Sequence, residues 1–292
     1  MSETTIQWTA TVGPDGTVHP GFTFNCWIGC TEVSPACANC YARTMSNYRG
    51  WAKWGKGEAR KRTSAANWRK PLSWNKQAEA AGVRLKVFCA SLADYMDAEA
   101  PDEWRADLFA LIERTPHLDW LLLTKRTESL RPKLPAAWLE SPPPNVWLGA
   151  TVESSAYAWR ADHLREVPAA VRFLSCEPLF DDLADVDLTG IHQVIIGGES
   201  GGKARPFRLS HARSLMARCR EQGIAVFIKQ LGARPVGLDT GCDACDGGLD
   251  VPRRSHGIDC GGRPLRDSHG GDITEWPADL RIRQFPGDVH AG

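Results

Sequence analysis

The sequence predicts an α/β fold of the (β/α)-barrel class, complete or partial, on three observations. Seven short apolar runs, each about the length of a buried strand, recur along the 292 residues. Most are separated by roughly 25 to 30 residues, which leaves room for a helix between parallel neighbours. Nearly every run also ends in polar or charged residues, as strands do where they converge on the mouth of a parallel barrel.

In chain order the strand candidates are FTFN (22–25), VRLKVFCAS (83–91), LDWLLLTKR (118–126), NVWLGATVES (145–154), VRFLSCEPL (171–179), HQVIIGGES (192–200) and IAVFIKQLG (224–232). Each is rich in Val, Ile, Leu, Phe or Trp, the residues that fill a pleated, buried surface. Helix-like stretches fall between them at 101–115, 155–167 and 210–223, the last ending on Gly223 as a C-cap. The strand-end polar set is Ser91 and Asp94; Thr124, Lys125 and Arg126; Thr151 and Glu153; Glu177; Glu199; Lys229 and Gln230. One charge at a strand end marks only where a strand surfaces, whereas six strands in succession point to a shared catalytic face.

Two segments break the rhythm. Residues 48–76 carry nine Lys/Arg, one Glu and four tryptophans. Residues 233–272 are rich in Gly, Asp and Cys without apolar periodicity and read as a loop or small accessory lobe. The expected organisation is therefore a barrel domain over 1–232 with a cysteine loop at 26–41, the lobe over 233–272, and a tail over 273–292 that docks back.

Bulk composition narrows the class. Lys+Arg and Asp+Glu both number 35, so no global basic excess advertises a polyanion partner. No apolar run approaches the roughly 18 residues of a membrane span. The polar N-terminus MSETTIQWTATVGPDG has no signal-peptide core, which predicts a cytoplasmic protein. In that reducing compartment ten cysteines are metal ligands or buried thiols rather than a disulfide framework.

The densest chemistry lies in NCWIGCTEVSPACANCYAR, after the first strand-like run and before a helix-like one. Cys30, Cys37 and Cys40 form C-x6-C-x2-C, and three thiolates can hold three irons of a cubane while leaving the fourth open. With Cys26 the pattern becomes C-x3-C-x6-C-x2-C, which suits a closed structural zinc site equally well on spacing. The preceding strand, the flanking Tyr41 and the strand-end polar set favour the cluster.

Taken with VFCASLADYMD, LLLTKR, VWLGATVES, FLSCEPL, VIIGGESG, FIKQLG and GGDITEWPADLRIRQFP, this loop resembles the phage Gp37/Gp68-type three-cysteine-motif family (DUF5131). Those proteins are regarded as relatives of the radical S-adenosylmethionine enzymes. The resemblance implies a TIM-barrel-like radical S-adenosylmethionine fold. It implies a [4Fe–4S] cluster on Cys30, Cys37 and Cys40, with Cys26 a bystander. It implies S-adenosylmethionine as cofactor, reductive formation of a 5′-deoxyadenosyl radical, and an outside electron donor of the flavodoxin or ferredoxin type. The first gap between cysteines is six residues where the radical enzymes have three, and Asn39 stands where they carry an aromatic residue.

Gly197, Gly198 and Glu199 resemble the glycine-glycine-glutamate motif that holds the amino group of the cofactor's methionine part, here after the sixth strand; Ser91 and Thr151 join them as expected cofactor-binding residues. Glu153, Glu177 and Lys229 are the expected catalytic residues, as acid, base or charge partner. Cations interleaved with planar rings over 48–76 suit a nucleotide or nucleic-acid substrate, or else pack a solvated helix on the barrel. Cys242, Cys245 and Cys260 have the spacing of a second site for zinc or an auxiliary cluster. The competing reading is a zinc-stabilised nucleic-acid-binding protein without catalysis.

Overall fold

All seven apolar runs become strands of one sheet in a computed structural model that describes residues 4, 6–238 and 265–287. They are β1 (Phe22–Thr23), β2 (Leu85–Cys89), β3 (Leu118–Thr124), β4 (Val146–Thr151), β5 (Val171–Cys176), β6 (Gln193–Gly197) and β7 (Ala225–Gln230). The sheet order follows the chain order, with β1 and β7 at its two ends. Pairing is parallel from β1 through β4 and again between β6 and β7, with Phe22 opposite Val87, Leu85 opposite Leu118, Trp120 opposite Val146 and Gln193 opposite Ala225.

The chain divides into two compact units, residues 1–151 with 160–173 and residues 152–159 with 174–292. In the first, every residue of β2 and β4 is buried, as expected of parallel strands covered on both faces. Lys86 is the charged residue among them, and its Nζ donates to the carbonyl of Ala10 at 2.7 Å. Two of the tryptophans of segment 48–76 sit on helix α2 (Ala65–Ala81), which follows α1 (Tyr41–Arg49). Trp74 stacks on Phe22 with centroids 4.4 Å apart, and Trp68 meets Phe24 edge-on at 5.4 Å. Those two rings are core packing.

In the second unit, helix Leu209–Glu221 buries Leu209, Ala212, Leu215, Met216 and Cys219, a stripe at helical spacing. The tail runs beside β7: Ile228 N donates to Ile282 O at 2.9 Å, and Gln284 N to Val226 O at 2.8 Å. The helix expected over 155–167 starts late, as a tight turn at Ser155–Tyr157 ahead of Trp159–Arg165. The Asp181 carboxylate accepts from both Ser155 N and Ser155 Oγ and holds that first turn in its tighter form. The expected Cys/Gly-rich lobe falls largely on residues 239–264, outside the described residues.

Candidate metal centre and strand-end residues

Both ends of the cysteine loop are tied to the chain just past β2. Asn25 Oδ1 accepts from Leu92 N at 2.7 Å, and its Nδ2 donates to Ser91 Oγ at 3.1 Å. The other end is closed by Tyr41, whose Oη donates to Ser91 O at 2.8 Å. Ser91 is thereby occupied as an anchor of the loop. Between these ties Pro35–Asn39 form a 3-10 turn, with Cys40 N donating to Cys37 O at 3.2 Å. A proline at the first turn position needs no N–H partner, which suits it to start the turn.

The thiols divide by burial. Cys30, Cys37 and Cys40 are half-buried, whereas Cys26 is fully buried. Cys26 lies beside Cys89, a thiol whose pKa is raised first by burial and then by its neighbour Cys26. Three thiols therefore remain on the loop, and a soft sulfur set of this kind fits an iron–sulfur cluster. Among the described residues no three Cys, His, Asp or Glu side chains gather in the geometry of a single-ion site. Thiolates of a cubane each bind a different iron, so they stand farther apart than the ligands of one ion.

Behind the loop lies a buried charge network. Arg126 Nη1 donates to Cys30 Sγ at 3.4 Å and to Asp94 Oδ2 at 2.8 Å, while Nη2 donates to Thr31 O at 2.7 Å. Asp94 also accepts from Thr124 Oγ1 at 2.6 Å and Lys125 N at 3.0 Å. Arg60 Nε donates to Asp97 at 2.7 Å, and its Nη2 reaches Thr31 Oγ1 at 2.6 Å and Glu99 at 2.8 Å. Burial pushes the Cys30 thiol up to about 12, with Asp94 adding and Arg126 opposing. Burial also raises Cys40. A metal taken up at these thiols would displace their protons.

In the second unit the strand-end carboxylates already hold cations. Glu177 Oε1 lies 2.9 Å from Lys229 Nζ, and Ser175 Oγ is 3.3 Å from Glu177 Oε2. A Cβ on Gly197 would stand 2.8 Å from that Glu177 oxygen. Gly198 is a glycine for a different reason, since a Cβ there would meet Leu231 O at 2.5 Å. Glu199 accepts from Arg205 N at 2.8 Å and Nε at 3.0 Å, with a further contact from Nη2. Glu153 is fully buried, and its carbonyl accepts from Phe180 N at 2.8 Å. In the first unit Thr151 is buried and its carbonyl accepts from Arg160 Nη1 at 3.0 Å.

Sequence reasoning named Arg126 and Asp94 among the strand-end residues, as a positive charge and a carboxylate of the mouth, without pairing them, and passed over Arg60 and Asp97. A signal existed: LLLTKR and SLADYMD both place charges directly after apolar runs. The second site expected at Cys242, Cys245 and Cys260 lies outside the described residues. No helix among the described residues is long and apolar enough to cross a membrane.

A family model described as "Protein of unknown function (DUF5131)" matches residues 3–256. Among curated proteins nothing matches. Similar solved structures include spore photoproduct lyase complexed with dinucleoside spore photoproduct, at 13% identity and a TM-score of 0.43, covering 74% of this chain and 64% of that one. A cysteine-to-serine mutant of spore photoproduct lyase is similar at 13% identity and a TM-score of 0.42, covering 68% and 60%. A double mutant with bound AdoMet and dinucleoside spore photoproduct follows at 12% and 0.41, covering 73% and 64%. The chain thus spans between 60% and 64% of the length of these structures.

Proposed function

The chain belongs to the DUF5131 family, and for this member of it we propose a radical S-adenosylmethionine-type enzyme with a [4Fe–4S] cluster on Cys30, Cys37 and Cys40. One observation carries the reading: three half-buried thiols share a loop anchored at both ends, while Cys26 is turned inward to Cys89. That division supports a three-cysteine cluster over a closed four-cysteine zinc site, which needs Cys26 as its last ligand. When bound with one iron open, such a cluster supplies the electron that cleaves the sulfonium cofactor and so gives a 5′-deoxyadenosyl radical.

The chain's own residues have separate tasks. Asn25 and Tyr41 fix the loop. Gly197, Gly198 and Glu199 are assigned to the cofactor's amino group, for which Glu199 must exchange its bond to Arg205. Glu177 and Lys229, 2.9 Å apart, are suited to hold or pass a proton. A low-potential donor of flavodoxin or ferredoxin type supplies the electron. The substrate class we favour is a nucleotide or nucleic acid, supported by exposed Tyr48, Lys53, Lys56, Lys61, Arg69 and Lys70 on one basic segment.

Anaerobic reconstitution tests the reading. The expected product is a brown protein with about four irons and matching sulfide per chain, which forms 5′-deoxyadenosine from S-adenosylmethionine under dithionite. A colourless protein that retains zinc alone, or a loaded protein that never forms the nucleoside, would overturn it.

A further inference from the structure

We propose that Arg126 is a positioning residue that sets the reduction potential of the cluster through its N–H bond to the Cys30 sulfur. This rests on the cluster reading above. Its basis is a single guanidinium serving three acceptors: Cys30 Sγ at 3.4 Å, Asp94 Oδ2 at 2.8 Å and Thr31 O at 2.7 Å. Two of these acceptors belong to the cysteine loop and the third to the segment after β2. The planar fork of arginine can meet them together, which the point charge of lysine does not.

Several groups hold the fork in place. Asp94 is 8% exposed through its side chain and Arg126 is 6% exposed, so solvent screens the pair weakly. Asp94 is itself oriented by Thr124 Oγ1, Lys125 N and Met96 N. Asp97 stands 3.8 Å from Nη2 and is fixed in turn by Arg60. Among the described residues Arg126 is the cation hydrogen-bonded to a cysteine of the loop.

The electrostatic consequence follows from charge. One-electron reduction adds a negative charge to the cluster and its thiolates. A buried guanidinium that donates to one of those sulfurs stabilises the reduced form more than the oxidised form, which raises the potential. Cys37 Sγ meets a neutral hydroxyl, Ser34 Oγ, at 3.9 Å, and Cys40 is approached by the backbone N–H groups of Ala42 and Arg43. A charged side-chain donor thus marks out Cys30 among the three ligands.

Arg126→Lys keeps the charge opposite Asp94 and removes the fork. The experiment compares potentiometric titrations of the reconstituted wild type and R126K, followed by electron paramagnetic resonance. The expected result is equal iron and sulfide content with a potential lower in R126K, by about a tenfold change in the reduced-to-oxidised ratio at fixed poise, or roughly 59 mV for one electron. Should R126K fail to fold or load, wild-type protein labelled with 15N-arginine gives a second readout. A 15N coupling to the reduced cluster is then expected in pulsed spectra. An unchanged potential in a loaded R126K, or no 15N coupling in the loaded wild type, overturns the role of Arg126 and leaves the cluster reading standing. A wild type that takes up no cluster overturns both.

Discussion

At the ends of β2 and β3 in the first unit, ion pairs are sealed from water: Arg60 and Asp97 are 0% and 1% exposed through their side chains. In the second unit the comparable strand-end pairs keep their cations partly in solvent, with Lys229 at 35% and Arg205 at 31%. Breaking a sealed pair leaves a charge stranded in low dielectric, whereas a half-wet pair can trade its partner for water or for a ligand. The first arrangement builds a fixed cradle for the cysteine loop. The second leaves each cation in reach of water.

The largest effect tests what the cradle is for. Cys30→Ala, Cys37→Ala and Cys40→Ala should each abolish iron retention after anaerobic desalting, while Cys26→Ala should keep it. Iron loss in C26A matching that in C30A would turn the cradle into a four-ligand site. Next comes the cost of opening each kind of pair. Arg60→Met should lower unfolding stability by about 3 kcal/mol in urea, because Asp97 is left buried with only the longer 3.8 Å approach of Arg126 to offset its charge. Lys229→Met, at a pair with one end in water, should cost no more than about 1 kcal/mol. Equal losses would erase the distinction between sealed and half-wet pairs.

The smallest effect concerns a surface pair. Arg213 and Asp279 are 43% and 52% exposed and meet at 2.7 Å. The hydrogen bond from Arg213 lowers the Asp279 pKa below its ordinary value of 3.8. Because the folded value lies below the unfolded one, the contribution is complete above about pH 3.8. It is lost as the pH falls through the folded value. Asp279→Asn should remove no more than about 0.5 kcal/mol near neutral pH, and the difference between the variant and the wild type should vanish in acid. Urea midpoints across that range measure it.

The parallel strands were legible because burial on both faces writes itself as unbroken apolar runs, as in VFC and WLLL. Helix α2 was not. It buries only Pro71, Trp74 and Ala78, so its sequence reads as a basic, tryptophan-rich stretch and hides the narrow stripe that packs on β1. The three loop cysteines stood out by spacing alone. What separated Cys26 from them is a partner, Cys89, that is 63 residues away by number (89 − 26) and so invisible to local pattern. The same holds for Arg60 with Asp97 and Arg126 with Asp94, where each charge is plain in the sequence and its partner is not. Glu199 and Arg205 are only six apart and lie on one glycine-rich turn, so their pairing was the nearest to being readable.

The tail beside β7 bears on how the molecule behaves in a crowd. A terminal strand with open N–H and C=O groups is a template on which a foreign strand can zip. Here Ile282 and Gln284 occupy backbone groups of Ile228 and Val226, and the Gln284 amide oxygen takes the Val226 N–H as well. Arg283, bridged to Phe227, places its guanidinium over the Phe227 and Trp276 rings, 5.6 and 5.5 Å from their centroids. On this side of β7 the ladder is thus closed by the chain's own tail and a side-chain amide, so those backbone groups are not open to a foreign strand.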